Sequence, residues 1–250
     1  MSNYTIPATS KTPALIIYLL DVSGSMNHDC GSKTRIDVVT ESLQKVAVRM
    51  VQRSTKGTIV APRYRIAMYA YSNEVVDLLG GVKTIDELAN MGVPQLTTLN
   101  MTDTAAAFAE AERLLEAELP NIQHCPAPLV CHMTDGEFNG DDPAPIAKRI
   151  MEMAVPDGNV LVENIFIRSG ILKNTNVEAW PGISSVDELS DEYAQALFEM
   201  SSPMPDSYHS VMQEFGYGLN AGVNMFFPGE EPDFVELGFA MSGATPVTGG

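Results

Sequence analysis

Apolar runs of strand length alternate with segments of helical periodicity along most of the chain. Residues 14–20 form a continuous apolar run, which is typical of a parallel strand that is buried on both faces. Similar runs follow at residues 127–133, 161–167 and 223–227. Between the runs, apolar residues recur three or four positions apart, as in Ile36, Val39 and Leu43, which predicts helices. The pattern therefore predicts an α/β fold.

One pair of runs has a different connection. Residues 65–71 and 74–80 flank Ser72 and Asn73, two turn-forming residues, which predicts an antiparallel hairpin at a sheet edge. The remaining strand–helix alternation favours right-handed crossovers onto one sheet. We therefore predict a doubly wound, mainly parallel six-stranded sheet with helices on both faces and residues 74–80 as its antiparallel edge strand.

The sequence shows no internal repeat and no break in composition that would separate two domains. We predict a single domain over residues 1–250, with a core at about 14–242 and a helical insertion at about 184–217. Within the insertion, the stretch at 200–217 is rich in methionine and aromatic residues. We expect this stretch to pack on the core, and a partner-binding surface is the alternative.

The charge balance excludes one class of partner. The chain has 15 basic and 32 acidic residues, a formal net charge of −17, which repels a phosphate polyanion, so we expect no nucleic-acid partner. We see no signal peptide and no apolar run near the roughly 20 residues that cross a bilayer. Without such a run we expect no membrane partner. The three cysteines are few, odd in number and without C-x-x-C spacing, so we expect reduced thiols in a cytoplasm.

Polar side chains follow two of the predicted parallel strands. Asp21 ends the first strand and precedes Ser23 and Ser25, Asp135 follows the run at 127–133, and Thr102 precedes a predicted helix. Each residue alone is explained by a turn or a helix cap. If the strand order reverses between the two strands, however, all three loops meet in one crevice at the carboxyl ends of the strands. Their hard oxygen donors suit Mg²⁺ or Mn²⁺, and Ca²⁺ more loosely.

The stretch DVSGSM at residues 21–26 resembles the D-x-S-x-S motif of von Willebrand factor A (VWA) domains, which opens their metal-ion-dependent adhesion site, MIDAS. Thr102 and Asp135 stand where that family has the threonine of its second loop and the aspartate of its third. The resemblance implies a VWA/Rossmann-like fold in which Ser23, Ser25 and Thr102 ligate a metal through their hydroxyls. It also implies that Asp21 and Asp135 act close to the metal, one or both through water.

Two features of the loops depart from the family pattern. Asn100 and Met101 precede the threonine where the family often has two glycines, and the loop after Met26 is longer than in short family members. The third loop also continues with acidic and amide side chains, which predicts either a second cation site or a solvated loop with a helix cap. These side chains are Glu137, Asn139, Asp141 and Asp142.

The resemblance implies a non-enzymatic, metal-dependent protein-binding module, in which an open coordination position accepts an Asp or Glu from a partner. It also implies a regulatory or scaffold subunit of a cytoplasmic stress-response system, or of an ATPase or kinase–phosphatase system. The alternative is a metal-dependent hydrolase or phosphatase. Against the alternative, residue 23 is a serine where a phosphoryl-transfer site wants a second carboxylate, and the chain has no P-loop and no G-x-S-x-G at Ser25.

Overall fold

The computed structural model describes residues 4–99, 101–136, 138, 140–173 and 180–247. In these ranges one sheet contains seven strands: β1 Ala14–Asp21, β2 Tyr64–Tyr71, β3 Val75–Asp77, β4 Lys83–Thr84, β5 Leu129–Thr134, β6 Leu161–Phe166 and β7 Phe226–Pro228. The spatial order is β7-β6-β5-β1-β2-β3, and β4 also pairs with β2. Three small hairpins, each made of two antiparallel strands of two residues, lie outside this sheet in the same ranges. They are Asp29–Cys30 with Lys33–Thr34, Thr55–Lys56 with Ile59–Val60, and Ala154–Val155 with Gly158–Asn159.

The strand directions confirm the predicted sheet. β1 pairs in parallel with β2 and β5, and β5, β6 and β7 are also mutually parallel. β3 is antiparallel to β2, as predicted for residues 74–80, and the short β4 adds a further antiparallel pairing at the same edge. Because β2 and β5 lie on opposite sides of β1, the strand order reverses between β1 and β5. Their carboxyl ends lie side by side because the two strands are parallel neighbours, and the reversal leaves a crevice between the loops that follow them.

Helices cover both faces of the sheet. They are α1 Arg35–Ser54, α2 Ile85–Met91, α3 Thr104–Glu118, α4 Ala144–Glu152, α5 Glu192–Glu199, α6 His209–Glu214 and α7 Pro232–Ser242. Ile16, Tyr18 and Leu20 share one apolar cluster with α1 and α7. Their neighbours in β1, such as Ile17, belong to a second cluster with α3 and α4. The continuous apolar run of β1 follows from this burial on both faces.

Two helices begin where the sequence predicts them. α1 begins beside Ile36, the first residue of its apolar stripe, and α3 begins two residues after Thr102, but α2 was not predicted. α4 ends at Glu152, and Ala154 lies in a hairpin strand after it. In the described part of the chain, no helix combines the length and the apolar character needed to cross a membrane.

The segment at 184–217 contains several short helices instead of one long one. Val186–Glu188 and Asp206–Tyr208 are single 3₁₀ turns, and α5 and α6 lie between and after them. Asp191 accepts hydrogen bonds from the first amides of α5, so that helix begins after the turn. Met200, Tyr208 and Met212 are buried, and these side chains are therefore unavailable as a partner-binding surface.

Candidate metal centre

Asp21 is the last residue of β1, and its buried carboxylate is held by two neighbouring loops. Its Oδ1 accepts a hydrogen bond from the Ser23 amide at 2.8 Å, and its Oδ2 accepts one from the Thr134 hydroxyl at 2.7 Å. Thr134 ends β5, the strand beside β1. The carboxylate therefore ties the loop after β1 to the end of β5.

The two serine hydroxyls converge with the second carboxylate. Ser23 Oγ lies 3.0 Å from Ser25 Oγ, and Ser25 Oγ donates a hydrogen bond to Asp135 Oδ1 at 2.7 Å. Because the proton of Ser25 points to Asp135, the lone pairs of its oxygen face away from that carboxylate. A hydroxyl oriented in this way can donate electron density to a cation.

Thr102 reaches the same cleft from the loop before α3. It is buried, and the neighbouring backbone fixes its position: Leu99 N donates to Val22 O at 2.6 Å and Asp103 N donates to Ser72 O at 2.7 Å. Met101 adopts the left-handed backbone, with φ of 67°, which glycine adopts at lower cost. The loop thus reaches the cleft without the glycines of the family pattern. Asn100 lies outside the described residues.

Arg35 is a member of the site that we did not predict from the sequence. It is the first residue of α1, and its Nη1 donates to Asp135 Oδ2 at 2.5 Å. Thr134 was also missed, although its position beside Asp135 at the end of a strand was a readable signal. Arg35 offered no comparable signal, because its contact with Asp135 joins residues that are 100 positions apart.

Burial controls the electrostatics of Asp21. Removal from water raises the pKa of the Asp21 carboxyl to about 6, and the hydrogen bonds from Thr134 and Ser23 oppose that shift. The negative charge of Asp135 also raises the pKa of Asp21. A cation bound between the two carboxylates would favour their ionised forms.

The cleft has a volume of about 520 Å³. Its lining includes Ser23, Ser25, His28, Arg35, Thr102, Asp135 and Arg168. Among the described residues, no three His, Cys, Asp or Glu side chains come together, so a metal held by these residues would need hydroxyl ligands as well as carboxylates. The residues present fit a hard cation such as Mg²⁺ or Mn²⁺.

The acidic stretch of the third loop is described only in part. Glu137 and Asn139 lie outside the described residues, and Asp141 and Asp142 are exposed. Asp142 Oδ1 accepts a hydrogen bond from Ala144 N at 2.9 Å, at the start of α4. The N-cap position itself is occupied by Pro143, so the helix cap lies one residue away from the predicted Asp142, which only accepts a hydrogen bond from the first amide of the helix.

No protein-family model matches the sequence, and no curated protein matches it. The fold is similar to that of several solved structures. Proximal thread matrix protein 1 from the mussel byssus, with a zinc-occupied MIDAS motif, aligns with a TM-score of 0.54 and 13% identity over 92% of this chain and 47% of its own. The pilus adhesin SpaC from Lactobacillus rhamnosus GG aligns with a TM-score of 0.56 and 10% identity over 90% of this chain and 29% of its own.

The PilB minor pilin from Streptococcus sanguinis aligns with a TM-score of 0.55 and 10% identity over 92% of this chain and 60% of its own. The chain thus spans less than two thirds of the length of each of these three proteins. Sequence identity this low shows similarity of fold alone. The fold of the chain is VWA-like: a doubly wound α/β sheet that is mainly parallel.

Proposed function

We propose that this chain is a metal-dependent protein-binding module whose bound cation captures an Asp or Glu side chain of a partner protein. The observation that carries the proposal is the convergence of hydroxyl and carboxylate oxygens in one cleft at the carboxyl edge of the sheet. The proposed ligands are Asp21, Ser23, Ser25, Thr102 and Asp135. Mg²⁺ is the proposed ion, with Mn²⁺ and Ca²⁺ as alternatives.

The charge of the site explains why an acidic protein would bind an acidic partner. A divalent cation would balance the charges of Asp21 and Asp135, and the five proposed ligands would leave a six-coordinate ion with one position open for an anionic oxygen. Arg35 and Arg168 also line the cleft, so its walls carry positive charge in a chain with a net charge of −17. A partner carboxylate is a hard oxygen ligand of the kind that Mg²⁺ prefers.

The proposed cellular role is that of a regulatory or scaffold subunit in a cytoplasmic stress-response system, or in an ATPase or kinase–phosphatase system. The resemblance of the DVSGSM stretch to the VWA motif supports this role. The proposal includes a single domain over residues 1–250 with an insertion at 184–217, and it includes no membrane or nucleic-acid partner.

A metal-dependent hydrolase or phosphatase is the second candidate, and His28 is the feature that favours it. A hydrolase needs a base for the metal-bound water, and His28 lies in the lining of the cleft. Its side chain is exposed, however, and no hydrogen bond among the described residues orients its imidazole. Protein binding needs no such base, so we favour it over catalysis.

The test is capture of partner proteins with Mg²⁺ and with a chelator, followed by substitution of the acidic residues of each captured partner. We expect chelation to abolish capture, and Asp21→Ala to abolish it while circular dichroism shows an intact fold. We also expect the Asn or Gln form of one partner residue to escape capture. Glu110→Ala is the control, because it removes a carboxylate of α3 that pairs with Arg113 and is not among the proposed ligands.

Two outcomes would contradict the proposal. Capture that survives both chelator and Asp21→Ala would assign recognition to another face of the protein. Metal-dependent hydrolysis of a phosphate ester, lost in Asp21→Ala and in His28→Ala, would favour the hydrolase.

A further inference from the structure

The Arg35–Asp135 ion pair lies inside the candidate metal centre. Only 1% of the Asp135 side chain and 16% of the Arg35 side chain are exposed. The carboxylate is fully engaged, since its Oδ1 accepts from Ser25 and its Oδ2 from Arg35. In this arrangement the negative charge of Asp135 is neutralised by a cationic group of the same chain.

The backbone around Arg35 holds the guanidinium in position. Thr34 caps α1 by accepting a hydrogen bond from Asp37 N, and Arg35 N donates to His28 O at 2.9 Å. The start of α1 is therefore tied to the loop that carries Ser23 and Ser25. The guanidinium meets Asp135 as a consequence of how the first loop joins the helix.

A buried carboxylate without a counter-charge is destabilising, so removal of Arg35 would leave Asp135 as an uncompensated buried charge. A divalent cation that approaches Asp135 also brings a counter-charge, but it experiences repulsion from the guanidinium. The cation must either displace Arg35 or bind beside it. In both cases the affinity for the cation is lower than it would be with a neutral residue at position 35.

Arg168 provides an internal comparison. It lines the same cleft, but its guanidinium lies 3.5 Å from Asp191 and is 39% exposed. Water screens an exposed charge much more strongly than a buried one. The two arginines therefore separate a general charge effect on the cleft from direct competition for Asp135.

We propose that Arg35 is a built-in counter-cation that competes with the divalent metal for Asp135 and so lowers the metal affinity of the site. This inference rests on the metal site of the proposed function.

The test is calorimetric titration with Mn²⁺ alone of the wild-type protein, Arg35→Gln and Arg168→Gln. We expect Arg35→Gln to bind Mn²⁺ on the order of tenfold more tightly, because one unit of positive charge is removed beside a buried ligand. Arg168→Gln should change the affinity less than about threefold, because its charge is exposed. Thermal unfolding without metal should show a lower Tm for Arg35→Gln than for the wild type.

The possible outcomes separate this inference from the proposed function. Equal or weaker Mn²⁺ binding by Arg35→Gln than by the wild type would overturn the inference and give Arg35 the role of shaping the site. Failure of both proteins to bind Mn²⁺ or Mg²⁺ would overturn the metal site itself, and the inference with it. If Arg35→Gln does not fold, Arg35→Met is a second neutral variant with an unbranched stem, and the same gain in affinity is expected of it.

Discussion

At the scale of single residues, buried His132 of β5 links two other strands of the sheet through its side chain. Its Nδ1 lies 2.7 Å from Asn164 Oδ1, and its Nε2 lies 2.7 Å from the Tyr71 hydroxyl. An amide oxygen can only accept, so Nδ1 carries the proton and Nε2 accepts from Tyr71. The imidazole is neutral in this arrangement, and burial lowers the pKa of His132 from 6.5 to about 4.

We predict that His132 makes folding less favourable in acid. Between pH 6.5 and about 4 the unfolded chain binds a proton at this residue and the folded chain does not, so stability present above pH 6.5 is lost as the pH falls. The free energy of unfolding should decrease by up to about 1.4 kcal/mol for each pH unit in this window, from this residue.

The measurement is urea unfolding at several pH values of the wild-type protein and of His132→Gln. Carboxylates titrate in the same range, so the difference between the two proteins isolates the histidine. The variant should be less stable than the wild type at pH 7 and should lose less stability between pH 6.5 and 4. Parallel pH profiles would contradict the prediction.

At the scale of elements, the loops of the site are positioned by helix starts as well as by strand ends. Asp103 accepts a hydrogen bond from Ala106 N at 3.0 Å and so caps α3, while its own amide donates to Ser72 O at the end of β2. The neighbouring residue is Thr102. A helix cap therefore sets the position of one proposed metal ligand.

The third loop is held by a side-chain contact. Its Phe138 packs against Tyr193 of α5, with ring centroids 5.5 Å apart.

We predict that Asp103→Ala weakens both the fold and the site. Loss of the cap should lower the free energy of unfolding by about 1 kcal/mol, the usual cost of removing an N-cap side chain. It should also reduce Mg²⁺ affinity, because the backbone that places Thr102 loses one of its anchors. Chemical denaturation and calorimetric titration measure the two effects.

Thr84→Ala is the matched control for this substitution. Thr84 forms a capping box with Glu87 at the start of α2, and β4 pairs with the first residues of β2, away from the carboxyl end that holds the site. Thr84→Ala should therefore lower stability by a similar amount and leave Mg²⁺ affinity unchanged. Equal effects of the two substitutions on affinity would show that the α3 cap does not position the site.

At the scale of the whole molecule, the sequence predicted the parallel strands because strands covered on both faces are largely apolar, whereas the two-residue β4 was not predicted. It also indicated that the polar residues after β1 and β5 would meet if the strand order reversed between those strands, and the observed order has this reversal. α2 was missed because its seven residues are too few to show a helical period, although Thr84 and Glu87 carry a capping signal. The Arg35 contact depends on how α1 packs, which no local pattern encodes.

The last prediction concerns the stability of the entire chain. A ligand that binds only the folded state stabilises it by about 2.7 kcal/mol at a concentration one hundred times its Kd. For a protein of this size, each kcal/mol raises the Tm by roughly 2–4 °C, so saturating Mg²⁺ should raise it by about 5–10 °C. Differential scanning calorimetry with Mg²⁺ and with a chelator measures the shift.

The net charge of −17 makes the control essential, because any salt screens the mutual repulsion of the carboxylates and stabilises the fold. NaCl at the same ionic strength should therefore give a smaller shift than Mg²⁺. The specific part of the shift should disappear in Asp21→Asn, because the amide lacks the charge that attracts the cation. It should persist in reduced form in Thr102→Ala, because water can replace a neutral hydroxyl ligand. The prediction would be contradicted if NaCl and Mg²⁺ raised the Tm equally, or if Asp21→Asn left the Mg²⁺ shift unchanged. Either result would mean that the cations screen the surface charge of the protein and do not bind in the cleft.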